Sequence, residues 1–179
     1  EAHTIEVRTP GNTGTVAIHG FVPRRGGSGA VLHKAGNAGA ISDNLYVVRD
    51  EAAKYLPALA PDIIVLALTT NDSSVKYETS DFRAHVAALI DTWRAALPDV
   101  GIVLVCPARV IGPKNSRLID YRDALYDIAM AKNCEFYSLY DDWADTVTMH
   151  AAGMFDDDVH PSAAGSDFIA RRLFQLMGI

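Results

Sequence analysis

Cysteine is scarce in this chain of 179 residues, which has only Cys106 and Cys134. Both fall in what read as buried strands; a disulfide between them would need a particular Cα spacing that sequence does not supply, and they are read as free core thiols. Clustered positive charge is missing as well. No basic run exceeds the pairs Arg24-Arg25 and Arg171-Arg172, and the net charge is −6. A surface for phosphate backbones, and with it a nucleic-acid partner, is therefore not expected. The longest apolar runs, Ile63 to Leu68 and Ile102 to Cys106, fall far short of the roughly 20 residues of a spanning helix, so no membrane span is expected. The start, Glu1-Ala2-His3-Thr4-Ile5-Glu6-Val7, has neither the basic opening nor the apolar core of a signal sequence. It also does not begin with Met, and the chain is expected to be a piece of something longer. His3, His19, His33, His85 and His150 show no metal-ligand spacing, and Asp141, Asp142, Asp145 and Asp156 to Asp158 match no calcium loop. No metal site is expected.

The composition that is present, 49% hydrophobic and 21% charged, suffices for one well-cored domain with a little left over. Residues 3–8 and 15–22 alternate with period two around the turn Pro10-Gly11-Asn12-Thr13-Gly14, which predicts a β-hairpin. A third short strand is expected at Ala30 to Lys34. A lone hairpin is marginal in water, so these strands are expected to belong to a small sheet whose other members lie elsewhere.

From residue 35 the pattern changes to alternating strand and helix. Helices are expected at about Asp43 to Leu59, Asp81 to Leu97 with Ser80 as N-cap, Leu118 to Lys132, and Ser162 to Met177, with a short helix or turn at Asp141 to Met149. Pro57 leaves the last turn of the first one open. Aliphatic strands are expected at Asp62 to Leu68, Gly101 to Cys106 and Glu135 to Leu139. Such alternation with near-continuous aliphatic strands implies an α/β fold, a parallel sheet covered on both faces. Ligands then bind at the carboxyl ends of the strands, where Asn71 and a late loop carrying His160 could share one cleft.

That late loop, Asp156-Asp157-Asp158-Val159-His160-Pro161-Ser162-Ala163-Ala164-Gly165, sets a carboxylate and an imidazole three residues apart. Asp157 can hold one ring nitrogen of His160 in its N–H form, leaving the other free to take a proton from a nucleophile. This loop, the strand phrase Pro61 to Leu68 running into Thr69-Thr70-Asn71-Asp72, and the glycine loop around Gly39 occur in an order and spacing that resemble three of the four blocks of the SGNH, or GDSL-type, hydrolase superfamily. The resemblance covers roughly residues 31 to 179. It implies a flavodoxin-like three-layer sheet and a Ser-His-Asp triad acting on esters, without metal or organic cofactor. His160 and Asp157 would be catalytic, while the Gly39 backbone N–H and the Asn71 side chain would form the oxyanion hole.

The chain departs from the family's pattern twice. Thr69 stands where the third block usually begins with glycine. The first block, a strand ending in Gly-Asp-Ser that supplies the nucleophile, has no counterpart, and Ser28, Ser42, Ser73 and Ser74 are weak substitutes. In some members a small β-sandwich is inserted between the first two blocks, and residues 1–30 resemble its tail end. The nucleophile strand is therefore expected upstream of Glu1 or on a companion segment, filling a central slot between Val31 to Lys34 and Ile63 to Leu68. The expected substrate is an acylated or acetylated glycan, or a small lipid ester. The alternative is a degenerate hydrolase domain serving as a structural or glycan-binding module of a cell-surface or virion assembly, and either reading suits an extracellular or cell-surface setting.

Overall fold

The computed structural model describes residues 6, 8, 10–11, 13–15, 29–112, 117–143 and 145–178. It divides into two compact units, residues 1–34 and 35–179. In the first, Arg8 forks onto the Glu6 carboxylate with bonds of 2.7 and 2.8 Å. The predicted hairpin strands lie largely outside the described residues. The strand expected at Ala30 to Lys34 is not formed: these residues are irregular, with Val31 61% and Leu32 93% exposed. Alternating sequence makes a strand only where a neighbour completes its ladder, and among the described residues none does.

The second unit is built on a parallel sheet of β1 (Ile63–Ala67), β2 (Gly101–Cys106) and β3 (Glu135–Ser138), hydrogen-bonded in that order. Ile63 pairs with Gly101 and Val103 with Glu135. Successive side chains of a strand point to opposite faces, and β2 uses both. Ile102, Leu104 and Cys106 pack with Phe82, Val86 and Ile90 of α4 (Thr79–Ala96) and with Tyr121, Leu125 and Ile128 of α5 (Leu118–Lys132). Val103 and Val105 face the other way, toward Trp143, Phe155 and α8 (Ala163–Met177), whose Phe168, Ile169 and Leu173 complete that layer. Helices thus cover the middle strand on both sides, the three-layer arrangement anticipated from the aliphatic runs.

β1 was expected to be buried throughout, yet Ile63 is 38% and Val65 42% exposed. Leu66, on its other face, is buried in the core. Ile63 and Val65 lie on the same side of the sheet as Val103 and Val105, but no helix of the described residues covers them. The helix expected at Asp43 to Leu59 breaks in two, α1 (Ser42–Ala53) and α2 (Leu56–Leu59). Pro57 lacks the N–H that would carry the first helix onward and crowds the preceding turn. α4 begins at Thr79 with Glu78 in the capping position, not at Ser80. The segment after Asp141 splits at Trp143 into α6 (Leu139–Asp142) and α7 (Thr146–Ala151).

Candidate active site

Two loops at the carboxyl edge of the sheet carry the predicted residues. The first runs from the irregular segment before α1 to α3 (Thr70–Val75), a short helix that directly follows β1 and holds Asn71 in its first turn. Gly39 lies in a turn closed by the Ala40 N–H donating to the Asn37 carbonyl at 3.1 Å. Its φ of 77° is in the left-handed region, where the missing Cβ removes the clash. One N–H of the Asn71 amide donates to the Ala40 carbonyl at 3.0 Å. That bond fixes which end of the amide is nitrogen, and it leaves the second N–H for another acceptor. Gly39 and Asn71 are thereby brought together across about thirty residues of sequence. The loop borders a depression of about 430 Å³ lined in part by Asn44, Leu45, Val47 and Val48.

The second loop is built on α7 and α8. Phe155 and Pro161 form an antiparallel bridge, the Asp156 N–H donates to the His160 carbonyl at 2.9 Å, and the Ser162 N–H donates to the Met154 carbonyl at 2.9 Å. Ser162 also caps α8. Its hydroxyl accepts the Gly165 N–H at 3.2 Å and donates to the Gly153 carbonyl at 2.6 Å. Beneath the loop, Phe155 stacks on His150 and meets Trp143 edge to face, with ring centroids 4.6 and 5.3 Å apart. The Ile111 N–H donates to the Asp158 carbonyl at 3.0 Å, tying this loop to the segment that leaves β2.

Within this frame Asp157 makes three bonds, two to His160 and one to Val159. Oδ1 accepts the backbone N–H groups of Val159 and His160, each at 2.7 Å, and Oδ2 lies 2.8 Å from His160 Nδ1. The ring of His160, followed by its backbone N–H and that of Val159, holds the Asp157 carboxyl well below its usual range. An ionised carboxylate only accepts hydrogen bonds, so the proton of a neutral His160 sits on Nδ1 and Nε2 presents a lone pair. The ring is open to solvent, its side chain 75% exposed. No hydrogen bond among the described residues links His160 to Asn71 or Gly39.

The serines considered as nucleophiles are engaged elsewhere or lie outside the described residues. Ser42 is wholly buried, with its hydroxyl donating to Asp72 at 2.6 Å, and Ser73 is buried. Ser74 follows on the exposed side of α3, and Ser28 lies outside the described residues. Among the described residues, His160 meets no serine hydroxyl.

The sequence matches the family model described as "GDSL-like Lipase/Acylhydrolase family" over residues 10–168. The chain belongs to this family. Membership places it among the esterases and acylhydrolases, and solved structures agree on the fold. An acetyl xylan esterase, AlAXEase, is similar at 19% identity and a TM-score of 0.67, covering 79% of this chain and 78% of its own. A catalytic mutant of the acetylxylan esterase Axe2 from Geobacillus stearothermophilus is similar at 22% identity and a TM-score of 0.62, covering 79% and 69%. A peptidoglycan O-acetylesterase is similar at 19% identity and a TM-score of 0.59, with 72% of this chain matching only 40% of that one. A search of curated proteins finds no match.

Against the GDSL pattern, the departure at Thr69 is resolved by the backbone. Thr69 is wholly enclosed and has φ 121°, so it keeps a conformation that glycine favours while carrying a β-branched side chain. The chain therefore turns out of β1 as a glycine would allow, and Asn71 still reaches Ala40. The sequence reading missed the partnership of Ser42 with Asp72, since nothing local marks it. It also missed the reason for Gly165, where a Cβ would run into the Met154 carbonyl.

Proposed function

We propose that this chain supplies the base, its orienting acid and two oxyanion donors of a serine ester hydrolase, and that the serine comes from a segment outside the described residues. The observation that carries this reading is the Asp157–His160 pair, with Nδ1 held at 2.8 Å and Nε2 free. A general base must offer an accepting nitrogen whose opposite side is fixed, and this one does.

In the reaction, the serine hydroxyl attacks the ester carbonyl while His160 Nε2 takes its proton. The Gly39 N–H and the second N–H of Asn71 receive the negative charge on the carbonyl oxygen, and loss of one such donor typically slows the reaction by about 100- to 1000-fold. Collapse breaks the ester bond as His160 returns the proton to the leaving alcohol. Water then repeats the sequence on the acyl-enzyme and restores the serine. Asp157 stays ionised throughout and stabilises the imidazolium.

The uncovered flank of β1 supports a companion segment. Among the described residues β1 is paired on one side only, by β2; an edge without a neighbour leaves N–H and C=O groups unpaired, and the exposed Ile63 and Val65 leave apolar surface in water. A strand laid beside β1 would pair that edge and would end near Asn71 and Gly39. Acetyl or other short acyl esters of carbohydrates are the substrate class favoured by the similar acetylxylan and peptidoglycan esterases. The missing serine favours a second reading, a degenerate domain acting as a structural or glycan-binding module.

Fluorophosphonate labelling of the complete gene product separates the two. The hydrolase reading expects one labelled serine outside the described residues and turnover of p-nitrophenyl acetate. Absence of both labelling and turnover overturns it and leaves the binding module.

A further inference from the structure

Asp72 is wholly buried and next in sequence to the proposed oxyanion donor. Its Oδ1 accepts both the backbone N–H of Ser42, at 2.9 Å, and the Ser42 hydroxyl, at 2.6 Å. Two ties therefore join the same two stretches: Asn71 to Ala40 and Asp72 to Ser42. Asp72 is itself anchored from behind. Its carbonyl accepts the Tyr77 N–H at 2.9 Å and the hydroxyl of Tyr121, a wholly buried residue of α5, at 3.2 Å. A continuous line of contacts thus runs from α5 through Asp72 to the start of α1, two residues beyond the turn that holds Gly39.

We infer that Asp72 and Ser42 are positioning residues, a buried clasp that sets the Gly39 N–H and the Asn71 amide at the spacing one oxyanion requires. The inference rests on the hydrolase reading above. Its physical basis is that oxyanion donors act only when held in advance, and that misplacing a group by about 1 Å can slow a reaction about 100-fold. The loop around Gly39 has small side chains and exposed residues on either side of the turn, so it cannot hold its own position by packing. A buried carboxyl oxygen that accepts two hydrogen bonds can.

The test uses the complete protein, with its serine-bearing segment, and p-nitrophenyl acetate. Asp72→Ala, which removes the acceptor of both bonds, is expected to lower kcat by about 100-fold with KM unchanged. Ser42→Ala, which keeps the backbone bond and loses only the hydroxyl, is expected to lower kcat by about 10-fold. If the clasp acts through the oxyanion donors, Asp72→Ala and Asn71→Ala together slow the enzyme by less than the product of their separate losses; a merely structural role would let the two losses multiply. Multiplying losses, or an Asp72→Ala enzyme with wild-type kcat where Asn71→Ala is slow, overturn the clasp alone. If Asn71→Ala leaves kcat unchanged in an active enzyme, the oxyanion assignment falls and the clasp with it. In a protein with neither turnover nor labelling the hydrolase reading falls, and amide hydrogen exchange at residues 39–42 decides the clasp. Faster exchange there in Asp72→Ala, with β2 unchanged, supports the buried tie, and unchanged exchange overturns it.

Discussion

The Met154 carbonyl occupies the space that a Cβ on Gly165 would enter. Met154 opens the loop that carries Asp157 and His160, and its carbonyl accepts the Ser162 N–H at 2.9 Å. A backbone obstacle cannot turn aside as a side chain does, so Gly165→Ala must push α8 away from the loop. Overpacking of this kind costs about 1–3 kcal/mol. The variant is expected to unfold at lower temperature and to hydrolyse ester more slowly than that loss of stability explains. An unchanged melting temperature together with unchanged kcat would show that α8 and the loop yield to each other freely.

Thr69 stores strain at the exit of β1. With φ at 121°, a β-branched residue costs about 1–3 kcal/mol, against about 0.4–1 kcal/mol of extra chain entropy that glycine brings to the unfolded state. Thr69→Gly and Thr69→Ala both give up the buried side-chain contacts, but only glycine also relieves the φ, so Thr69→Gly is expected to melt above Thr69→Ala. Ala melting at or above Gly would refute the argument.

These two positions show what could be read in advance. Asp157 and His160 are three residues apart, so their pairing is local and visible in the sequence. The aliphatic runs of β1 and β2 announced buried parallel strands because apolar residues on successive positions suit a sheet covered twice. Composition cannot say whether the cover is present, and this is why the exposure of Ile63 and Val65 was unforeseen. No helix is among those expected at Thr70 to Val75, yet this run folds as α3 with Asp72 and Ser73 enclosed. Ser42 and Asp72 are thirty residues apart, and only the folded chain brings them into contact. The strand expected at Val31 to Lys34 failed for a related reason, since pairing is a property of two segments and only one was in view.

Both cysteines are free and buried, and burial pushes the Cys106 thiol from 9.0 up to about 12. Burial raises Cys134 as well. Thiolate is the reactive form, so neither thiol is expected to react with iodoacetamide near pH 8 in the folded protein, and both should react in denaturant. A thiol whose folded value lies above its unfolded one holds its proton longer in the folded state. The contribution of Cys106 is thus intact below pH 9.0 and is lost as pH rises toward about 12, with a slope of about 1.4 kcal/mol per pH unit. Cys106→Ala is expected to flatten the alkaline limb of the stability curve by that slope, whatever its cavity does to the midpoint.

Asp157 titrates in the opposite sense. Its carboxyl lies below the ordinary value of 3.8, chiefly because the ring of His160 bonds the ionised form. The order it gives the loop is complete above pH 3.8 and is lost as pH falls through its lowered value in the folded protein. The amides of Val159 and His160 should therefore keep their native NMR shifts into acid that already protonates ordinary carboxylates. Asp157→Asn separates this support from the chemistry. An amide oxygen can still accept the Val159 and His160 N–H groups, so the loop should hold and the melting temperature should move little. The amide nitrogen then faces His160 Nδ1 as a donor, which drives the ring proton onto Nε2 and removes the lone pair that must take the serine proton. A loss of about 10,000-fold in kcat is expected from that change of tautomer, visible in the ring nitrogen shifts of His160. A variant within tenfold of the parent would mean that His160 is not oriented by Asp157 during turnover.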